Sequence, residues 1–270
     1  MKKIFSVLFI CGLSACTLYN SGSSARPAGF SEILLLNTNI AVEKACYNSL
    51  KQVTYIWESN TEKIHIFKQN KQINTIGGEG FDRANFQKLT DICLSPDGDI
   101  FALDSPDRSL KKFDEKGELR AVIKIDADLS PLLVAVALDQ KIYVYGDKRK
   151  EIVVLNYKGK ELEAFGSMQF YEPASLELYN DLIAVYEPLN DITVFFSRLG
   201  QVVDEQKGHC YIENRQVYCA GSFFLQQVNG QNKFAVNTSP WQKVFFQSPE
   251  IILSDGNKLL VGMIKYDVQR

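Results

Sequence analysis

The chain has 270 residues, of which 46% are hydrophobic and 23% charged, with only 17 glycines and 8 prolines, so disordered and collagen-like classes are excluded. Thirty basic residues against 32 acidic ones give a formal net charge of −2, which offers no electrostatic footprint for nucleic acid; none is expected as a partner. Two histidines leave little material for His-rich metal sites or His-based catalysis, and no cofactor is implied.

At the N-terminus Lys2 and Lys3 form a charged region, Ile4 to Ile10 an apolar one, and Leu13-Ser14-Ala15-Cys16 closes the segment with small residues before a cysteine. The apolar stretch is shorter than the roughly 20 residues that a membrane-spanning helix needs. This run resembles the lipobox of bacterial lipoproteins. The resemblance implies a signal peptide over residues 1–15, a palmitate-type acyl anchor on Cys16, and a mature chain of 255 residues with a net charge of −4. Residues 16–29 are small, polar and rich in glycine and serine, the composition of a flexible tether. Thr17 follows the cysteine, which by analogy with enterobacterial sorting implies the outer membrane of a bacterial cell envelope.

Beyond the tether, short alternating apolar runs separated by turn residues give an all-β signal. The clearest unit is Leu94-Ser95-Pro96-Asp97-Gly98-Asp99-Ile100-Phe101-Ala102-Leu103-Asp104, a strand, a Pro-Asp-Gly turn and a returning strand. The first apolar residue after each such turn gives the series Val53, Ile100, Ile142, Ile183, Val217 and Leu259. Seven residues before these stand Cys46, Cys93, Ala135, Leu176, Cys210 and Ile252, all apolar, as equivalent buried positions on an incoming strand should be. A second register places Gly117, Gly159 and Gly200 after the apolar strand ends Phe113, Leu155 and Phe196. Six units of about 40 residues predict a six-bladed β-propeller over residues 30–270, because a lone blade cannot bury both faces and radial stacking does so. Too little chain follows Leu259 for a full blade, so the strand Phe30 to Asn37 is expected to complete the last one and lock the ring.

The stretch Ile76-Gly77-Gly78-Glu79-Gly80-Phe81-Asp82, with Phe86, Asp91-Ile92-Cys93-Leu94 and Ile100-Phe101-Ala102-Leu103-Asp104, resembles the repeats of NHL-type six-bladed propellers. It is similar to the propeller lipoproteins common in Bacteroidetes, a family without a settled activity. The likeness covers Gly77 to Gly166 and fades after Ser167.

An exported chain meets conditions in which disulfides form. Counting outward from the turn Asn214-Arg215 opposes Cys210 to Cys219 at a non-hydrogen-bonded pair within bridging reach; a disulfide and two free core thiols both fit. Cys46 and Cys93 hold equivalent positions in adjacent blades, about 10 Å apart by sheet packing, and read as buried thiols.

No catalytic or metal-binding motif is present. His65 alternates with apolar residues and reads as solvent-facing on a strand; His209 has no nameable carboxylate partner. Asp91, Glu177 and Glu250 share no register relative to the repeat, which counts against a common metal cage. Asp104, Asp147 and Glu187 end the second strands of successive units and read as turn caps. Phe223-Phe224 and Phe245-Phe246 point to both faces of a strand, as packing on both sides requires. Two loops between blades, with Phe81, Asp82 and Arg83 in one and Phe170, Tyr171 and Glu172 in the other, combine aromatics with charge and are the candidate binding rim. The expectation is a non-catalytic binding or scaffolding module for an envelope protein, peptide or glycan, attached to the membrane by its lipid. Two other readings stand beside it: a metal-dependent lactonase or hydrolase using the central channel, and an accessory subunit of an outer-membrane assembly.

Overall fold

The computed structural model describes residues 26–125, 128–213, 216–220, 224–227, 233–235 and 242–267, and all regular elements among them are strands. The first, β1 (Arg26–Asn37), precedes five four-stranded meanders. β2 (Val42–Asn48), β3 (Val53–Glu58), β4 (Lys63–Lys68) and β5 (Lys71–Gly77) form one sheet. β6 (Leu89–Leu94), β7 (Ile100–Asp104), β8 (Ser109–Phe113) and β9 (Leu119–Lys124) form the next. They are followed by β10 (Pro131–Val136), β11 (Ile142–Gly146), β12 (Glu151–Leu155) and β13 (Glu161–Phe165). A fourth sheet holds β14 (Ser175–Tyr179), β15 (Leu182–Glu187), β16 (Ile192–Ser197) and β17 (Val202–Lys207). The fifth comprises β18 (Cys210–Glu213), β19 (Gln216–Ala220), β20 (Phe224–Gln227) and β21 (Lys233–Ala235). In the last, β22 (Lys243–Gln247), β23 (Glu250–Ser254) and β24 (Lys258–Asp267) are joined by β1, which pairs antiparallel with β24 along the outer edge.

Burial follows position within a sheet. β7, β11 and β23 are buried at every residue, whereas the outermost β13 is exposed along its centre. Middle strands carry a neighbouring sheet on each face and so lose the polar–apolar alternation of a half-solvated sheet. Apolar clusters join consecutive sheets: Ile64 and Ile66 with Phe86 and Phe113, then Phe101 and Ile123 with Val134 and Val153. Leu36 and Val261 of the last sheet meet Ile56 and Phe67 of the first. Each such side chain contributes roughly 1.5–3 kcal/mol on full burial. With its inner strands around one central cavity, this all-β arrangement is a β-propeller.

The short 34-residue step from Ile183 to Val217 has a structural counterpart: five sheets have strands of five residues or more, while β18, β19, β20 and β21 have four, five, four and three. Two details differ from the sequence reading. The marker Leu259 lies on the third strand of its sheet, because the turn Asp255-Gly256-Asn257 joins β23 to β24 and the β22–β23 turn is Ser248-Pro249. β1 also takes in Arg26 to Gly29, assigned by composition to the tether; main-chain pairing with Lys265, Tyr266 and Asp267 requires no apolar side chains there. The remaining leader and tether, including Cys16, lie outside the described residues, as do Phe223, Asn214 and Arg215.

The glycine register has a direct cause. Gly117, Gly159 and Gly200 close the turns after β8, β12 and β16 with φ of 84°, 79° and 76°, a left-handed conformation that glycine adopts without strain. At Gly159 a Cβ would also overlap the Lys124 carbonyl oxygen of the preceding sheet.

The inner strands share one direction. Lys243 Nζ reaches Glu43 Oε2 at 2.9 Å near the start of β22 and β2, and the Tyr47 amide donates to Gln247 Oε1 at 3.0 Å near their ends. The end where inner strands start, which carries the loops from one sheet to the next, is the upper rim; the opposite end is the lower rim. β1 runs upward, from Arg26 opposite Asp267 at the lower rim to Asn37 opposite Lys258.

Candidate functional site

The inner strands enclose a central cavity of about 2030 Å³, lined from Glu43 near the upper rim to Leu50 and Leu138 at the lower one. Its polar lining is largely paired with itself. Asp91, 1% exposed at the start of β6, binds three sheets together. Its Oδ1 holds Lys44 Nζ of β2 at 2.5 Å, and its Oδ2 accepts the Val134 amide of β10 at 2.8 Å. Burial pushes the Asp91 carboxyl up, with Lys44 opposing. Burial works against the Lys44 charge as well, but the Asp91 carboxylate outweighs it and holds the ammonium above its ordinary value.

His209 has a carboxylate partner after all. Its Nε2 lies 3.3 Å from Glu177 Oε1 and 3.2 Å from Ser175 Oγ, both on β14 of the preceding sheet. The ring stacks on Tyr186 at 4.5 Å and meets the edge of Phe246 at 4.6 Å. The neighbouring Tyr179 hydroxyl donates to Glu177 Oε2 at 3.3 Å; burial, then the Glu177 charge, pushes that phenol well above its usual value. Both the serine and the carboxylate approach the same ring nitrogen, unlike a nucleophile–base–orienter relay, which uses the two nitrogens separately. Glu250 is 3% exposed, and burial raises its carboxyl despite a hydrogen bond from Ser49. Among the described residues no three of His, Cys, Asp and Glu converge in a way that could hold a metal.

The remaining singled-out residues take varied places. His65 is not solvent-facing: it is half-buried on the sheet wall, with Nε2 3.1 Å from Glu58 Oε2 and Nδ1 3.0 Å from Gln72 Nε2. Cys46 is buried and Cys93 partly exposed at the cavity wall, both as free thiols; burial pushes the Cys46 thiol up to about 12. Cys210 and Cys219 are joined by a disulfide across the β18–β19 hairpin, with Cα atoms 4.0 Å apart. Phe246 is core, stacked on Tyr211 at 4.5 Å.

At the upper rim Phe81 is 92% and Tyr171 69% exposed, and Asp82, Arg83 and Glu172 are also exposed. Phe170 is not a rim residue. It is 2% exposed, with its ring edge-on to Phe196 at 6.0 Å and to Tyr145 at 6.4 Å, and its carbonyl accepts the Tyr145 hydroxyl.

Two of the carboxylates at the strand ends, Asp104 and Glu187, hold these loops, and Glu187 also holds its own turn. Asp104, fully buried, accepts the amides of Gln87 at 3.0 Å and Lys88 at 3.2 Å and pairs with Lys111 Nζ at 2.9 Å. Lys111 in turn donates to the Asn85 carbonyl, so the loop carrying Phe81 is fixed from beneath. Glu187, also fully buried, accepts the Tyr171 amide, the Glu172 amide at 3.0 Å and Asn190 Nδ2 at 2.7 Å. It thereby ties the loop carrying Met168 and Tyr171 to the turn carrying Leu189, two further apolar side chains that are 78% and 72% exposed. Met168 lies in the loop that sequence reading places at the rim, without being singled out there; Leu189 is missed, since nothing local marks a leucine in a turn as exposed. Asp147, by contrast, is half-exposed and pairs with Lys150 at 2.5 Å.

Solved structures agree with the fold. A gluconolactonase from Xanthomonas campestris superposes with a TM-score of 0.62 at 11% identity, covering 90% of this chain and 98% of its own. The virginiamycin B lyase of Staphylococcus aureus gives 0.58 at 12% identity, over 87% of this chain and 100% of its own. BBS1N, solved in complex with ARL6DN, gives 0.51 at 14% identity, over 87% and 79%. Enzymes and a protein-binding propeller stand side by side in this group, so the likeness defines a β-propeller and no activity. No protein-family model and no curated protein matches the chain.

Proposed function

We propose that this chain is an exported, lipid-anchored propeller whose six sheets act as six blades, sealed by β1, and that its upper rim binds a protein, peptide or glycan of the bacterial envelope. The observation that carries the reading is the pairing of exposed aromatics with buried clamps. Phe81 and Tyr171 project into solvent from loops held by Asp104 and Glu187. An aromatic on a loop whose backbone is held this way requires less ordering of the loop on binding, which is what an interface anchor needs. Capture of crosslinked envelope proteins or glycans on the wild-type chain tests it, with Phe81→Ala and Tyr171→Ala each expected to weaken capture. Equal capture by wild type and both variants sinks the reading.

A hydrolase using the channel is the second reading; its support is that Ser175, Glu177 and His209 meet at the cavity wall, although both partners share one ring nitrogen and form no relay in this arrangement. Lactone hydrolysis that disappears on chelation, or in His209→Ala, would establish it over the first.

A further inference from the structure

Among the described residues, seven large apolar side chains are more than two-thirds exposed, and all lie on turns or loops at the two rims. Phe81, Met168, Tyr171 and Leu189 belong to the upper rim. Leu50, Leu138 and Leu199 belong to the lower rim, at 89%, 78% and 79% exposure. Leu50 tips the β2–β3 turn, Leu138 the β10–β11 turn and Leu199 the β16–β17 turn; the exposed Pro96 fills the matching β6–β7 turn between the first two. Three of the first four sheets therefore present an exposed leucine at turn positions that Gly, Pro, Asn, Asp or Ser usually fill.

β1 starts on this same lower rim, and residues 17–25 are the only chain between its first residue and Cys16. Nine residues reach at most about 32 Å when extended, and a glycine- and serine-rich coil of that length averages roughly 17 Å end to end. At that mean length a lipid on Cys16 holds the lower rim closer to the bilayer than the upper one. We infer that Leu50, Leu138 and Leu199 dock the lower rim onto the membrane surface, leaving Phe81 and Tyr171 facing away from it. The occupant of this face is a lipid bilayer. The inference rests on the proposed anchor at Cys16 and adds to it an orientation and a contact surface.

The experiment places tryptophan at Leu50, Leu138 or Leu199, with Leu189→Trp as the upper-rim control and the unaltered chain as background for Trp57 and Trp241. The mature chain is bound to vesicles of phosphatidylethanolamine and phosphatidylglycerol with brominated acyl chains. Quenching of the added fluorescence by about twofold is expected at the three lower positions, with none at Leu189→Trp. Quenching that is absent, uniform or confined to Leu189→Trp overturns the inference. The mass of the N-terminal peptide reports acylation of Cys16 separately. If Cys16 carries no lipid, the Cys16→Ala chain held through an N-terminal histidine tag on nickel-chelating lipids gives the same readout, so a failed anchor and a failed docking face are told apart.

Discussion

Lys44 and Asp91 meet at 2.5 Å across two sheets, and the same carboxylate takes the Val134 amide of a third. Breaking a buried pair by removing one partner is costly because the other charge stays behind. Asp91→Ala is expected to lose about 3–5 kcal/mol, read as a lower urea midpoint with an unchanged slope. Asp91→Asn keeps an acceptor for Val134 and should lose less.

Glu187 should control the upper rim. Glu187→Ala leaves the Tyr171 and Glu172 amides without their acceptor and is expected to cost roughly 1–3 kcal/mol. Hydrogen exchange at those two amides should accelerate while the strands β14 and β15 stay protected. Unchanged exchange would show that the loop is held by other contacts.

The disulfide closes a loop with a sequence separation of 9. Chain-entropy arithmetic for a loop of that size gives roughly 2–3 kcal/mol. Cys210→Ser with Cys219→Ser is expected to lower the thermal midpoint without altering the far-ultraviolet spectrum.

Gly159→Ala meets both an unfavourable φ of 79° and the Lys124 carbonyl. Its destabilisation should exceed that of Gly166→Ala, where φ is 69° but the nearest atom to a Cβ is an ordinary 3.5 Å away. Paired denaturation curves decide this; equal losses would remove the steric part of the argument.

Glu250 supplies a pH test. Burial raises its folded-state pKa, so its share of stability is fully present below the unfolded carboxylate value and is lost as pH rises through the folded one. Glu250→Gln should therefore gain on wild type as pH rises from 4 to 7, by thermal midpoints measured at each pH. A difference independent of pH would deny the shift.

The repeat was legible because its signals are local. Pro96-Asp97-Gly98 and the left-handed Gly117, Gly159 and Gly200 specify turns from their own residues, and the opposed Cys210 and Cys219 follow from hairpin counting. What escaped was set by neighbours distant in the chain. Glu177 is 32 residues from His209, and Asp104 works on a loop 16 and 17 residues before it. Phe170 and Tyr171 are adjacent in sequence, yet one is core and the other solvent, a choice made by Tyr145 and Phe196. The slip at Leu259 arose because Asp255-Gly256-Asn257 has turn chemistry as good as that of a first turn, although it is the second turn in its sheet.

The pairing of β1 with β24 also has a mechanical meaning. Ten residue pairs, from Arg26 with Asp267 to Asn37 with Lys258, join the two ends of the chain in one sheet. A pull applied to Arg26 along the strand axis would shear these pairs together instead of peeling them one at a time, so the load would fall on the longest strand pairing among the described residues.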